Sequence, residues 1–148
     1  MKSTDTLQPR GTFHFKMFDK SDNLVEEYTC ENLIVAAGKA ALSALIGGGD
    51  PGYDKKVTKI AFGTDGTAPA SGDTSITSPF VKAIGSASYP DSTSVVFNWT
   101  LGYTEANGKD IQEFGLLCID NTLFARRTRA MISKTSDFRL EGTWKIQF

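Results

Sequence analysis

The sequence is poor in the residues that most often carry chemistry. It has one histidine and two cysteines among 148 residues. Two thiols and one imidazole are too few for the usual zinc-binding spacings. Sixteen basic side chains nearly balance seventeen acidic ones, which leaves a formal net charge of -1. Such a chain has no overall field that attracts polyphosphate. We therefore expect no metal, no cofactor and no nucleic-acid partner.

Long hydrophobic runs are also missing. No segment approaches the roughly 20 apolar residues that span a bilayer, and MKSTDTLQPRGTFHF lacks the apolar stretch of about 7–15 residues of a secretory signal. We therefore expect no membrane insertion and synthesis in the cytoplasm. There, Cys30 and Cys118 are expected to be buried free thiols. A disulfide between them remains open if the mature protein reaches an oxidising medium.

The composition indicates a folded chain with a single domain. Hydrophobic residues make up 40% and charged residues 22%, as in ordinary globular proteins. Residues 1–10 are polar and aperiodic, which predicts a flexible N-terminal arm. Residues 11–148 then form the domain.

Alternating apolar residues predict strands in several segments. Turn-forming residues from Asp19 to Asn23 separate the first two strands. The fold class is therefore mainly β, an antiparallel β-sandwich of about seven to nine strands with one α-helix. The inward positions of the alternating segments predict these core residues: Phe13, Phe15, Phe97, Trp99, Trp144, Ile146 and Phe148.

One helix is predicted between the first hairpin and the rest of the chain. Asn32 is a plausible N-cap, and three glycines from Gly47 end the helix. Ile34, Ala37, Ala41, Leu42 and Leu45 would form its apolar face. After a strand at Lys56 to Phe62, a long loop rich in small residues indicates a functional or interfacial segment.

No pattern of catalytic residues is present. His14 has no nucleophile signature to serve as its partner. The acidic pairs Glu26-Glu27 and Asp110 with Glu113 flank turns and strand ends rather than a cleft. The chain is therefore not expected to be an enzyme, and no residue is assigned a catalytic role.

The arginines near residue 127 form the one local concentration of positive charge. They are open to three interpretations: a solvated strand edge, pairing between subunits, or nucleic-acid contact. If the arginines pair between subunits, Arg126, Arg127 and Arg129 would bind carboxylates of a neighbouring chain. The candidate carboxylates are Asp110, Glu113 and Glu141.

Four segments together resemble a family of small structural proteins of tailed bacteriophages and prophage particles. They are ENLIVAAGKAALSALIGG, VTKIAFGTDGTAPASGDTSIT, IQEFGLLCIDNTLFARR and LEGTWKIQF. The resemblance covers about residues 11–148, and Asp65 departs from the glycine turn of the pattern. It implies a non-enzymatic virion subunit of the tail, baseplate or tail-fibre attachment region. Such a subunit would bind other virion proteins and form a homo-oligomer.

Two other functions remain open. A capsid decoration protein, which cements the subunits of the phage head, would use the same fold and arm. A carbohydrate-binding module for host receptors would instead present exposed aromatics, for which Tyr53, Tyr89 and Tyr103 are candidates.

Overall fold

A computed structural model describes residues 8–48 and 55–148. Within these ranges the chain forms nine strands and one helix. They are β1 (Arg10–Asp19), β2 (Leu24–Ile34), α1 (Ala36–Ile46), β3 (Val57–Gly63), β4 (Phe80–Ala83), β5 (Ser86–Asp91), β6 (Ser94–Leu101), β7 (Asp110–Cys118), β8 (Leu123–Ser133) and β9 (Phe138–Gln147). The predicted arm overlaps β1 at Arg10, which pairs with Gln147, and residues 1–7 lie outside the described ranges.

All nine strands belong to one antiparallel sheet in the order β4-β3-β7-β8-β2-β1-β9-β6-β5. The sheet curls so that a first half (β5, β6, β9, β1, β2) faces a second half (β8, β7, β3, β4). The halves join where Leu33 and Ile34 at the end of β2 pair with Arg126 and Ala125 of β8. The mainly β, antiparallel class with one helix is thus confirmed, as a single curled sheet.

Aromatic rings from both halves fill the space between them. Phe13 of β1 meets Phe114 of β7 with ring centroids 4.7 Å apart, and Phe62 of β3 meets Trp99 of β6 at 5.4 Å. Phe15, Phe97, Trp144 and Ile146 are also buried. Phe148 is 42% exposed, so its assignment to the core is wrong. It follows the last residue of β9 and borders a surface hollow together with Ile46 of α1.

Gly142 makes room for the largest ring of this core. It lies in β9 between Phe15 of β1 and Trp99 of β6. A Cβ atom built on Gly142 would lie 2.4 Å from Trp99 Cζ2 and 2.4 Å from the His14 carbonyl oxygen. Because real Cβ atoms do not approach so closely, the indole can lie flat over β9 only while this residue is glycine.

The hairpin of β1 and β2 forms as predicted. Asp19 Oδ1 accepts hydrogen bonds from the backbone N–H groups of Ser21 (2.9 Å) and Asn23 (3.0 Å), which fixes the turn.

The helix begins later than predicted. Its N-cap is Val35, without a side-chain cap. Asn32 lies in β2 instead, where its Oδ1 accepts a hydrogen bond of 2.7 Å from Trp144 Nε1. The N-cap prediction is therefore wrong, because the indole occupies the oxygen that would have capped the helix.

A second layer covers the outer face of the second half. It consists of the loop of residues 64–79, called the covering loop below, and of Ala37 at the start of α1, whereas Ala41 and Leu42 of α1 pack against the main core. Val35, Ala61, Ile76, Leu117 and Leu123 form a separate apolar cluster beneath it. Ile76 packs where a Cβ on Gly63 or Gly115 would clash. Strand β7 is consequently buried on both faces. No helix in the described ranges is long and apolar enough to cross a membrane.

Candidate functional site

A buried ion pair holds the covering loop against the sheet. Arg126 Nε donates to Glu113 Oε2 at 2.8 Å, and Arg126 Nη1 donates to Asp73 Oδ2 at 2.9 Å. The side chains of Arg126 and Glu113 are 4% and 1% exposed. Burial acts to lower the pKa of Arg126, but hydrogen bonds and charges from Glu113 and Asp73 outweigh it and raise that pKa above its ordinary value.

The same pair binds the loop backbone. Arg126 donates to the carbonyl oxygens of Thr67 (3.1 Å) and Asp65 (3.2 Å). Glu113 Oε1 accepts from the N–H groups of Thr77 (2.6 Å) and Asp65 (3.2 Å). Both ends of the loop are therefore fixed by the side chains of Arg126 and Glu113.

This geometry corrects part of the interface prediction. Arg126 and Glu113 bind each other inside the chain and are not accessible to a neighbouring subunit. The alternation of β8 does place Arg126 opposite Arg127. What the alternation could not show is that a loop from elsewhere covers the face on which Arg126 lies.

Arg127 and Arg129 bridge β8 and β2 beyond the short ladder that joins them. Arg127 donates to the Tyr28 hydroxyl (2.9 Å) and to the Glu31 carbonyl oxygen (3.1 Å). Arg129 forms an ion pair with Glu26, and its guanidinium lies 4.9 Å from the centroid of the Tyr28 ring. Pairing of these two arginines with another chain stays a prediction.

The remaining candidate carboxylates lie at the surface with partners in the same chain. Asp110 accepts a hydrogen bond of 2.8 Å from Ser133 Oγ. Glu141 accepts one of 3.0 Å from Arg139 Nη1. Because both carboxylates are solvent-accessible, a role at a subunit interface stays a prediction for them as well.

His14 lies on the outer face of the first half, beside a shallow hollow of about 350 Å³. Its Nε2 is 2.9 Å from Glu27 Oε1, and this hydrogen bond holds the pKa of Glu27 below its ordinary value. The hollow is open to solvent, and its lining includes Trp99 and these polar side chains: Lys16, Asn98, Thr100, Glu141 and Thr143.

Two adjoining hollows lie at the end of the sheet where β1 begins. Both are bordered by Gln8, Pro9 and Lys39. The larger, about 530 Å³, is mostly apolar and runs between α1 and the end of β9. We call it the helix groove; its lining includes Leu42, Ile46 and Phe148.

The helix groove exposes large apolar side chains. Ile46 is 89% exposed and Phe148 42% exposed. Leu45, predicted on the buried face of the helix, is 44% exposed, and the buried residues of α1 are Gly38 and Ala41. Ile46 lay outside the predicted apolar face, so the helical periodicity alone could have identified it as a surface residue. Contiguous exposed apolar surface is typical of a contact site.

Neither metal-ligating side chains nor similarity to known proteins indicates a further site among the described residues. Within residues 8–48 and 55–148, no three histidine, cysteine, aspartate or glutamate side chains are grouped so that they could hold a metal ion. Comparisons with protein-family models, curated proteins and solved structures find no match to this chain.

Proposed function

We propose that this chain is a non-enzymatic structural subunit of a tailed-bacteriophage virion, from the tail, baseplate or tail-fibre attachment region. It would act by self-assembly and by contacts with other virion proteins. The motif resemblance over residues 11–148 supplies the class of particle. The single observation that supports an assembly role is the helix groove.

The helix groove has the composition of a protein contact surface. Its exposed apolar residues, Ile46 and Phe148, flank the point where Gln8 and Pro9 lead into β1. Burying a side chain such as isoleucine contributes about 1.5–3 kcal/mol. A second copy or a neighbouring virion protein that covers the groove would gain this energy from each side chain.

The sandwich predicted from the sequence is part of the proposal. The two halves of the curled sheet would act as its layers, with the aromatic core between them. The outer face of the first half and the groove end would then remain free for neighbouring subunits.

The oligomeric state of the purified full chain tests the proposal. We expect an oligomer in light scattering, and Ile46→Glu should dissociate it because the substitution places a charge in the groove. Met131→Glu is the matched control. Met131 is 52% exposed, lies near the last residue of β8 and is not part of the groove lining. A chain that stays monomeric as its concentration rises, or an Ile46→Glu oligomer as stable as the parent, would contradict the role of the groove.

Localisation in intact particles separates the virion alternatives. Electron microscopy that places the subunit on the head would favour a capsid decoration protein. A carbohydrate-binding module has a weaker basis. Tyr89 is 76% exposed, but the Tyr103 hydroxyl donates to the Asp19 carbonyl oxygen at 2.5 Å, and Tyr53 lies outside the described residues. A monomer that binds glycans through Tyr89 would favour this alternative.

A further inference from the structure

A polar hollow adjoins the helix groove. It measures about 430 Å³, and the charged residues of its lining are Arg10, Glu31 and Lys39. Two cations against one carboxylate give this lining a net charge of +1, and neither cation has an ion pair in the part of the chain that the structure describes. Lys39 borders both hollows. The helix groove and the polar hollow therefore form one surface, apolar in one part and cationic in the other.

The beginning of the chain leads directly to this surface. Gln8 and Pro9 border both hollows, and residues 1–7, MKSTDTL, precede them outside the described ranges. Seven extended residues reach up to about 23–25 Å, whereas the 11 residues of α1 rise about 16 Å along the helix axis. A segment of seven residues is therefore long enough to cover the helix groove.

The sequence of residues 1–7 complements the two parts of the surface. In an extended segment, Leu7 and Asp5 would share one face and lie about 6.6 Å apart. Leu7 would then cover the apolar side chains of the helix groove, while the Asp5 carboxylate would lie beside the two cations of the polar hollow. Lys2, the other charged side chain of the segment, would lie at its far end.

Pro9 favours a second copy of the chain as the source of the segment. The residue before a proline is restricted to extended backbone, so the chain at Gln8 continues the line of β1 past the end of the sheet. To enter the groove that Gln8 itself borders, residues 1–7 of the same chain would have to reverse direction immediately before Gln8. A segment that arrives from another copy needs no such reversal.

We infer that two copies of the chain exchange residues 1–7, so that each segment lies across the helix groove and the polar hollow of the other copy. The inference rests on the proposed self-assembly and names the occupant of the groove. Because each copy gives one segment and receives one, the contact is isologous and closes as a dimer.

Removal of residues 1–7 tests the exchange through the oligomeric state. We expect the truncated chain to be monomeric in light scattering at concentrations where the full chain is dimeric, with an unchanged circular dichroism spectrum. Leu7→Ser in the full chain should raise the dissociation constant of the dimer at least about a hundredfold, because the dimer buries this leucine twice. Thr6→Ser is the matched control, since neighbouring residues of an extended segment face opposite sides.

A truncated chain that dimerises as tightly as the parent would overturn the exchange. If Ile46→Glu dissociates the dimer of the full chain while the truncation does not, the proposed function stands and only the exchange fails. A full chain that stays monomeric at every concentration contradicts both.

Disulfide formation identifies the copy that supplies the segment. Ser43 is exposed and lines the helix groove. An equilibrated mixture of Leu7→Cys and Ser43→Cys chains should give, under mild oxidation, a linked dimer whose proteolytic fragment joins the peptides containing the two substitutions. The parent chain is the control for Cys30 and Cys118. A link that forms only within one chain of the double variant, or no link at all, would overturn the exchange.

Discussion

Replacement of Arg126 by methionine tests the buried ion pair most directly. Methionine keeps most of the side-chain volume but removes the guanidinium, which leaves the Glu113 carboxylate 1% exposed with hydrogen bonds from the N–H groups of Asp65 and Thr77 only. It also leaves the carbonyl oxygens of Asp65 and Thr67 without this donor. Breaking a buried pair by removing one partner typically costs about 3–5 kcal/mol. We expect a loss of this size in the free energy of unfolding of Arg126→Met.

Urea denaturation followed by circular dichroism measures this loss. Arg127→Met is the matched control, because Arg127 lies next in the strand but only partly buried, and its hydrogen bonds to Tyr28 and Glu31 should contribute about 1 kcal/mol. In the double variant Glu113→Gln with Arg126→Met, the two losses should not add, since the unpaired charge is absent. A loss in Arg126→Met no larger than that of Arg127→Met would refute the reasoning.

Three further predictions concern packing and pH. Trp144→Ala should lower the free energy of unfolding by about 3–5 kcal/mol in urea denaturation, because the indole is fully buried; a neutral result would contradict its place in the core. Gly142→Ala should cost about 1–3 kcal/mol through overpacking against Trp99, and calorimetry would show a lower Tm. The hydrogen bond from Lys55 holds the pKa of Asp120 at about 2, below its ordinary 3.8. The stability that this hydrogen bond contributes is therefore present above about pH 4 and is lost as the pH falls to about 2. Asp120→Asn should consequently lose less stability than the parent over that interval.

The sequence predicts those parts of the fold that local chemistry determines. The hairpin of β1 and β2 follows from an aspartate that binds its own turn, and β6 and β9 follow from the alternation of their apolar residues. The strands β4 and β5 were missed because they are short. All six residues of β5 are exposed, so it has no buried face to produce a pattern. The start of α1 was missed because Asn32 binds Trp144, which is 112 residues away.

The buried ion pair of Arg126 and Glu113 was missed for a related reason. Alternation assigns a residue to one face of a strand, but it does not tell whether another segment covers that face. The continuous apolar run at residues 114–118 of β7 does carry such a signal, because strands buried on both faces lose their alternation. A charged residue beside such a run, as Glu113 is, indicates a buried pair rather than a surface contact.

The short ladder between β2 and β8 has a mechanical consequence. Two residue pairs join the halves of the sheet there, whereas ten pairs join β1 to β9. A force that pulls the halves apart would act first on the hydrogen bonds of Leu33 and Ile34 and on the contacts of Arg127 and Arg129 with β2. Each half would keep its own ladders while the aromatic rings between them separated, so the protein would yield first where β2 meets β8.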